Sequence, residues 1–313
     1  MEFRTQVKQE KALFTFSHAD SILLMGSCFA ENIGEKLTNH FFPVDINPFG
    51  TLYNPASVAS GLRMLIDSQS LKPSDLFCHE GVYHSLQQIN DRLNSSSAVL
   101  KMADRLVVTF GTAWVYKLKT NGSIVANCHK LPDKLFSRTR LTVSDIVSEW
   151  TDLLNLLLAR NPNLKILFTV SPVRHWKDGA NGNQLSKATL LLSIDELRRL
   201  FPDCVDYFPA YEIIMDELRD YRFYADDMLH PSSLAVEYIW KSFSEQFLSS
   251  ESFALLKDLA EVQKAINHRP FNPESEAYHS FIKQTLRKAE DINDRLGRGQ
   301  LLALIAELKG KIT

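Results

Sequence analysis

Two stretches far apart in the chain carry side chains that could do chemistry together. The first is Gly26-Ser27-Cys28, directly after the apolar run Ile22 to Met25. The second is Asp227-Met228-Leu229-His230, followed by Pro231, Ser232 and Ser233. An Asp-x-x-His spacing on a loop entering a helix lets the carboxylate hydrogen-bond one imidazole nitrogen and fix the tautomer. The other nitrogen can then take a proton from a hydroxyl, which a serine needs before it is a useful nucleophile. Ser27 is the hydroxyl this pattern offers. Asp226 is a rival orienter, but the spacing favours Asp227. Cys28 is a rival nucleophile, since thiolates are intrinsically more reactive. One residue out of step with Ser27, it is expected to point into the core as a small apolar residue. Ser27 taken alone reads as a helix cap. The downstream glycines and the Asp227–His230 spacing turn that reading toward catalysis.

Weaker candidates follow the run "LKILFTVSPV". Arg174 and His175 come next, then the polar stretch "WKDGANGNQLSK". Arg174, Asn183 and Lys187 could bind a polar or anionic part of a substrate. The same residues equally describe a solvated loop with a helix start at Ser186. His84 and His129 are further pocket candidates. Cys78, His79, Cys128 and His129 lack the spacing of common zinc motifs, so neither a metal nor a cofactor is expected.

The elements that must position these residues alternate between strand and helix up to about residue 250. "SILLMG", "FFPVDINPFG", "DRLVVTFG", "LKILFTVSPV" and "CVDYFP" read as strands separated by helical segments. "TVSDIVSEWTDLLNLLLAR" opens with a capping box, Thr142 to Asp145, and carries apolar residues at helical spacing. Such alternation implies a mostly parallel sheet covered on both faces, with ligands at the carboxyl ends of the strands. Ser27, Gly50, Gly111 and Ser171 all fall at such ends. A β-hairpin near 113–130, turning at Asn121-Gly122, would return Asn127, Cys128 and His129 toward them. Residues 251–313 read as charged amphipathic helices without strands. They could wrap the body, form a lid, or mediate homo-oligomerisation.

Gly26-Ser27-Cys28-Phe29-Ala30, with "NPFGTLYNP", "FGTAWVY", "NCHK", "SPVRH" and "DDMLHP", resembles the GSCFA family, which is similar to the SGNH/GDSL hydrolases. The resemblance covers roughly residues 20–248. It implies Ser27 as nucleophile, His230 as base, Asp227 as its orienter, and an oxyanion hole built from the Ser27 and Gly50 backbone N–H groups. Gly111, Arg174, His175 and Asn183 are expected to bind substrate. One block departs from the superfamily's Gly-x-Asn-Asp: here it is Gly111-Thr112-Ala113-Trp114, and alanine donates no side-chain hydrogen bond. Losing one such donor costs about 10²–10³-fold in turnover. Asn127 from the hairpin is expected to replace it.

A formal net charge of −2, with 45% hydrophobic and 23% charged residues, describes a globular protein without a nucleic-acid-binding surface as its purpose. The N-terminal stretch has no sustained apolar segment that reads as a secretory signal, and no run is long enough to span a bilayer. Four scattered cysteines without a Cys-x-x-Cys pair favour reduced thiols and a cytoplasmic setting. The expected fold is a three-layer α/β/α sandwich, residues 1–250, with a helical extension, 251–313. The expected activity is hydrolysis of a small polar ester, for example an acetylated carbohydrate, without nucleic-acid or membrane partners. Two readings stay open beside it: an acyltransferase, and a catalytically silent binding or scaffolding protein.

Overall fold

The computed structural model describes residues 5–8, 10–72, 86–126, 132–268, 270–272, 274–297 and 299–311. Cys78, His79, His84, Asn127, Cys128 and His129 lie outside the described residues, and with them the expected Asn127 donor and the hairpin's return. The chain runs β1 (Ile22–Gly26), α1 (Cys28–Asn39), β2 (Val44–Ile46), α2 (Pro55–Ile66), α3 (Leu86–Lys101) and β3 (Arg105–Phe110). Then come β4 (Trp114–Leu118), β5 (Ile124–Val125), β6 (Phe136–Arg140), α4 (Val143–Arg160), β7 (Lys165–Val170), α5 (Gly179–Leu200) and β8 (Val205–Phe208). A short turn α6 (Ala210–Glu212) leads into a π-helical segment, Ile213–Glu217, and α7 (Ser233–Phe247) follows. The last three helices are α8 (Ser250–Ile266), α9 (Glu276–Leu296) and α10 (Leu302–Gly310).

The main sheet has strand order β2-β1-β3-β7-β8, parallel at every pairing. Its strands are buried on both faces, which is why they read as unbroken apolar runs. The two-residue period of a strand divides them. Leu23, Met25, Leu106, Val108, Ile166 and Phe168 join one core, around Trp150 of α4. Ile22, Leu24, Val107 and Leu167 join the other, against α1 and α7. The result is an α/β/α sandwich. The capping box of α4 forms as read, Thr142 and Asp145 each bonding the other's backbone N–H. The hairpin turning at Gly122, which has φ +72, is present as β4 and β5. β6 adds to β4 as a third antiparallel strand that the sequence reading did not foresee. Among the described residues no helix is long and apolar enough to cross a membrane.

Helices α8 to α10 build a third core, including Leu259, Ile292 and Leu308, with Phe41 packed against it. Gln263 donates to the Asn39 carbonyl at 2.6 Å, and Gln300 to that of His18 at 3.2 Å. Asn39 ends α1, a helix that starts at Ser27, so this contact lies a full helix length, about 18 Å, from the serine. Of the three roles left open for these helices, a lid finds no support: they seat at the amino-terminal end of the sheet, and none of their described residues lines the cavity beside Ser27.

Candidate active site

Ser27 occupies the turn between β1 and α1. Its neighbour Gly26 has φ +137, and a Cβ there would meet the Thr109 carbonyl oxygen at 2.1 Å, so only glycine fits so close to β3. Ser27 Oγ accepts from the Phe29 N–H at 3.3 Å and caps α1. The capping role and a role in chemistry share one side chain, which is only 1% exposed. A cavity of about 370 Å³ opens over it at the carboxyl ends of the strands, and His230 lines the same cavity.

His230 is positioned by its own loop. Asp227 Oδ1 accepts from the backbone N–H groups of Leu229 and His230, both at 2.9 Å. Asp227 Oδ2 accepts from His230 Nδ1 at 2.5 Å, leaving Nε2 as the free nitrogen. The His230 backbone N–H, its ring and the Leu229 N–H together hold the Asp227 carboxyl low, at about 2. Ala225 N–H donates to the His230 carbonyl at 2.8 Å, and Ser232 caps α7 just beyond. Asp226 takes no part in this pair. Ser27 and His230 face one cavity without a hydrogen bond between them, a separation that an unliganded site commonly shows. Cys28 lines the cavity too, which corrects the expectation that it points only into the core. Burial, then the Glu31 charge, raise its thiol and keep it protonated.

The expected oxyanion donors need correction. Ser27 N–H donates to the Thr109 carbonyl at 3.0 Å, and Gly50 N–H to the Asn47 carbonyl at 2.8 Å, so both are committed. Gly50 does not line the cavity. Asn54, which sequence reasoning missed, does. Its Oδ1 accepts from the Ser57 N–H at 2.8 Å as the cap of α2, and its Nδ2 donates to none of the described residues. Tyr53 fixes the approach, because its carbonyl accepts from both Gly111 and Thr112 N–H, at 2.8 and 2.9 Å. Ala113, where an asparagine was sought, is fully buried.

Of the other expected contacts, Arg174 and His175 line the cavity. Gly111 backs it with its N–H and carbonyl already used, the carbonyl by Lys187. A Cβ on Gly111 would lie 3.1 Å from the Tyr53 oxygen, 3.2 Å from His175 Nε2 and 3.4 Å from Ser27 Cβ. Glycine therefore lets three groups converge. His175 Nε2 is buried without a partner, and burial, then the Lys187 charge, push this imidazole down to about 3, so it is neutral. Asn183 is a further correction. It lies 1% exposed on α5, which begins at Gly179 rather than Ser186, and its Oδ1 accepts from the His175 N–H at 3.0 Å. It supports a cavity residue and does not face the cavity. Lys187 likewise is wholly buried, donating to the Gly111 and Ser171 carbonyls at 2.7 Å each and joining the ends of β3 and β7.

The small antiparallel sheet supplies the outer wall. Arg138 of β6 lies over the rings of Trp114 and Tyr116, at 4.9 and 5.3 Å, and pairs with the buried Asp178 carboxylate. Lys177 donates to the Tyr116 hydroxyl at 2.9 Å. A second cavity of about 550 Å³ adjoins the first, sharing Arg174 and Trp176 and adding Met215, Tyr221, Tyr224 and Asp227.

Among characterised proteins with curated descriptions, none matches the sequence. One similar solved structure is described as "a putative platelet activating factor from Streptococcus pneumonia". It is 14% identical, and the match covers 72% of this chain and 83% of that one with a TM-score of 0.38. At that level the likeness says nothing about activity. Residues 259–313 match the "GSCFA domain protein, C-terminal domain". Residues 21–243, which hold the whole parallel sheet together with Ser27, Asp227 and His230, match the "GSCFA family", and the chain belongs to that family.

Proposed function

We propose that this protein is a serine hydrolase acting on a small polar ester. One observation carries the reading: Ser27 and an Asp227-oriented His230 line one cavity at the carboxyl ends of a parallel sheet. His230 Nε2 removes the Ser27 hydroxyl proton as Oγ bonds to the ester carbonyl carbon. The carbonyl electrons move to oxygen, and Asn54 Nδ2 is the donor placed to receive that oxyanion. Collapse breaks the bond to the alcohol oxygen, which leaves with the proton from His230. Water then attacks the acyl-serine with His230 again as base, releasing the acid and restoring Ser27.

A fluorophosphonate probe tests the nucleophile. Covalent adduct on Ser27, absent from Ser27→Ala and strongly slowed in His230→Ala, is the expected result. Folded wild-type protein that stays unlabelled at Ser27 refutes it. The lack of a hydrogen bond between Ser27 and His230 favours a second reading, a ligand-binding protein without turnover, and that same unlabelled outcome would support it.

A further inference from the structure

The cations around the two cavities are not equivalent. Arg138 is matched by Asp178 and two aromatic faces, Lys177 by the Tyr116 hydroxyl, and Lys187 by two carbonyls. Arg219, which lines the second cavity, donates to the Asp216 carbonyl at 2.6 Å, whereas Arg174 finds no oxygen acceptor among the described residues. Among the described residues, the Arg174 guanidinium has one hydrogen bond, to the Met215 sulfur at 3.2 Å, a weak acceptor, and no carboxylate pairs with it. A guanidinium has five N–H donors in a rigid fork that suits a carboxylate or phosphate. Arg174 is half-buried, so it has given up part of its hydration without gaining a counter-ion.

The surroundings favour an anion there. Among the described residues, no aspartate or glutamate lines the first cavity. The two that line the second are engaged, Asp227 by His230 and Asp220 by Arg222. Arg174 and Trp176 stand where the cavities join, and beyond them Trp176 and Tyr221 are 56% and 75% exposed, faces on which a flat or apolar body can lie.

From this geometry we infer that the molecule bound beside Ser27 carries an anionic oxygen group, a carboxylate or a phosphate, held by the Arg174 guanidinium where the two cavities meet. That the molecule is an ester rests on the hydrolase reading above; that it is anionic does not. The carbonyl occupies the first cavity, and the charged portion extends toward the second.

Three aryl acetates of one shape test this: 4-acetoxybenzoate, 4-acetoxyphenyl phosphate and the neutral 4-acetoxybenzamide. At least one anionic probe should exceed the neutral one in kcat/KM by about 10- to 100-fold, the range that a charge-assisted pair supplies, chiefly through KM. Which anion is preferred separates carboxylate from phosphate. Arg174→Gln should bring the ratio to about one. Arg174→Lys, which keeps the charge and loses the fork, should retain part of it. A binding arm needs no turnover: tryptophan fluorescence of wild-type and Ser27→Ala protein titrated with 4-hydroxybenzoate, phenyl phosphate and 4-hydroxybenzamide. Protein that binds an anion in preference to the amide and hydrolyses no probe would end the hydrolase reading and leave the anion site standing. The inference is overturned if neither anion is preferred in turnover or binding, or if the preference survives Arg174→Gln.

Discussion

On the proposed hydrolase reading Asn54 has two tasks for the two ends of one amide, and one substitution can separate them. Its Oδ1 caps α2 through the Ser57 N–H at 2.8 Å, while Nδ2 has no partner among the described residues beside the cavity that Ser27 lines. Asn54→Asp keeps an oxygen for the cap, where a carboxylate is also favoured by the helix dipole. It replaces the donor with a second acceptor. Stability should stay within about 1 kcal/mol of wild type, whereas kcat should fall at least 10²–10³-fold, the loss typical of one oxyanion donor. Asn54→Ala removes both ends and should cost about 1 kcal/mol in stability besides the lost turnover. Urea unfolding followed by circular dichroism measures the first quantity. Release of 4-nitrophenol from its acetate, scaled to the fluorophosphonate-titrated serine, measures the second. Asn54→Asp that keeps kcat within threefold would place the oxyanion elsewhere and refute the assignment.

Two further perturbations read the support beneath the site. Burial lowers the Lys187 ammonium from an ordinary 10.5 to about 7. Between those values the unfolded chain holds this proton and the folded chain has released it, so the unfolded state binds more protons and stability rises with pH. Urea unfolding should show about 1 kcal/mol gained per pH unit between pH values of roughly 7.5 and 9.5 in wild type relative to Lys187→Met. Parallel curves for the two proteins would refute the buried-cation account. The buried thiols Cys28 and Cys204 contribute with the opposite sign at the top of this window, but both proteins contain them. Gly111→Ala should force a few tenths of an ångström between Tyr53, His175 and Ser27. It should lower kcat/KM about tenfold or more, and a fully active, stable Gly111→Ala enzyme would show that this convergence does not matter.

Much of the frame was legible because its physics is local. A buried parallel strand is an apolar run, and β1, β3 and β7 stood out as such, each ending at a glycine or serine. Asp227 and His230 were legible because three residues of spacing already bring them together. What escaped reading depends on partners distant in sequence. Helix α3 packs Ser96 and Ser97 inward, where Ser97 donates to the Leu65 carbonyl at 2.6 Å, so its buried face does not look apolar. β6 alternates Phe136, Arg138 and Arg140, and Arg138 finds its aromatic and acidic partners only after the sheet forms. Asn183 was read as a substrate contact in a polar loop because "GANGNQ" is polar, yet α5 starts there and turns that asparagine inward. Asn54 was missed because its place before Pro55 suits an ordinary helix cap, and the cavity beside its other amide end forms only in the fold.

The alanine at position 113 follows from the same rearrangement. Ala113 N–H is taken by Ser186 Oγ at 2.8 Å, and its carbonyl accepts from Leu141 N–H at 2.9 Å, so this residue launches β4 and anchors the end of β6. A strand leaving β3 at that point turns the third residue of the block into the core, and a large amide there would sit among apolar neighbours without a partner. On the proposed hydrolase reading, another strand end can supply the oxyanion donor. The loop after β2 can supply it because the Tyr53 carbonyl is pinned to Gly111 and Thr112, the two residues directly before Ala113. The antiparallel sheet that Ala113 launches also brings Arg138, Trp114 and Tyr116 to the cavity wall. Ala113 thus joins the pinned Tyr53 loop on one side of the cavity to the cationic, aromatic wall on the other.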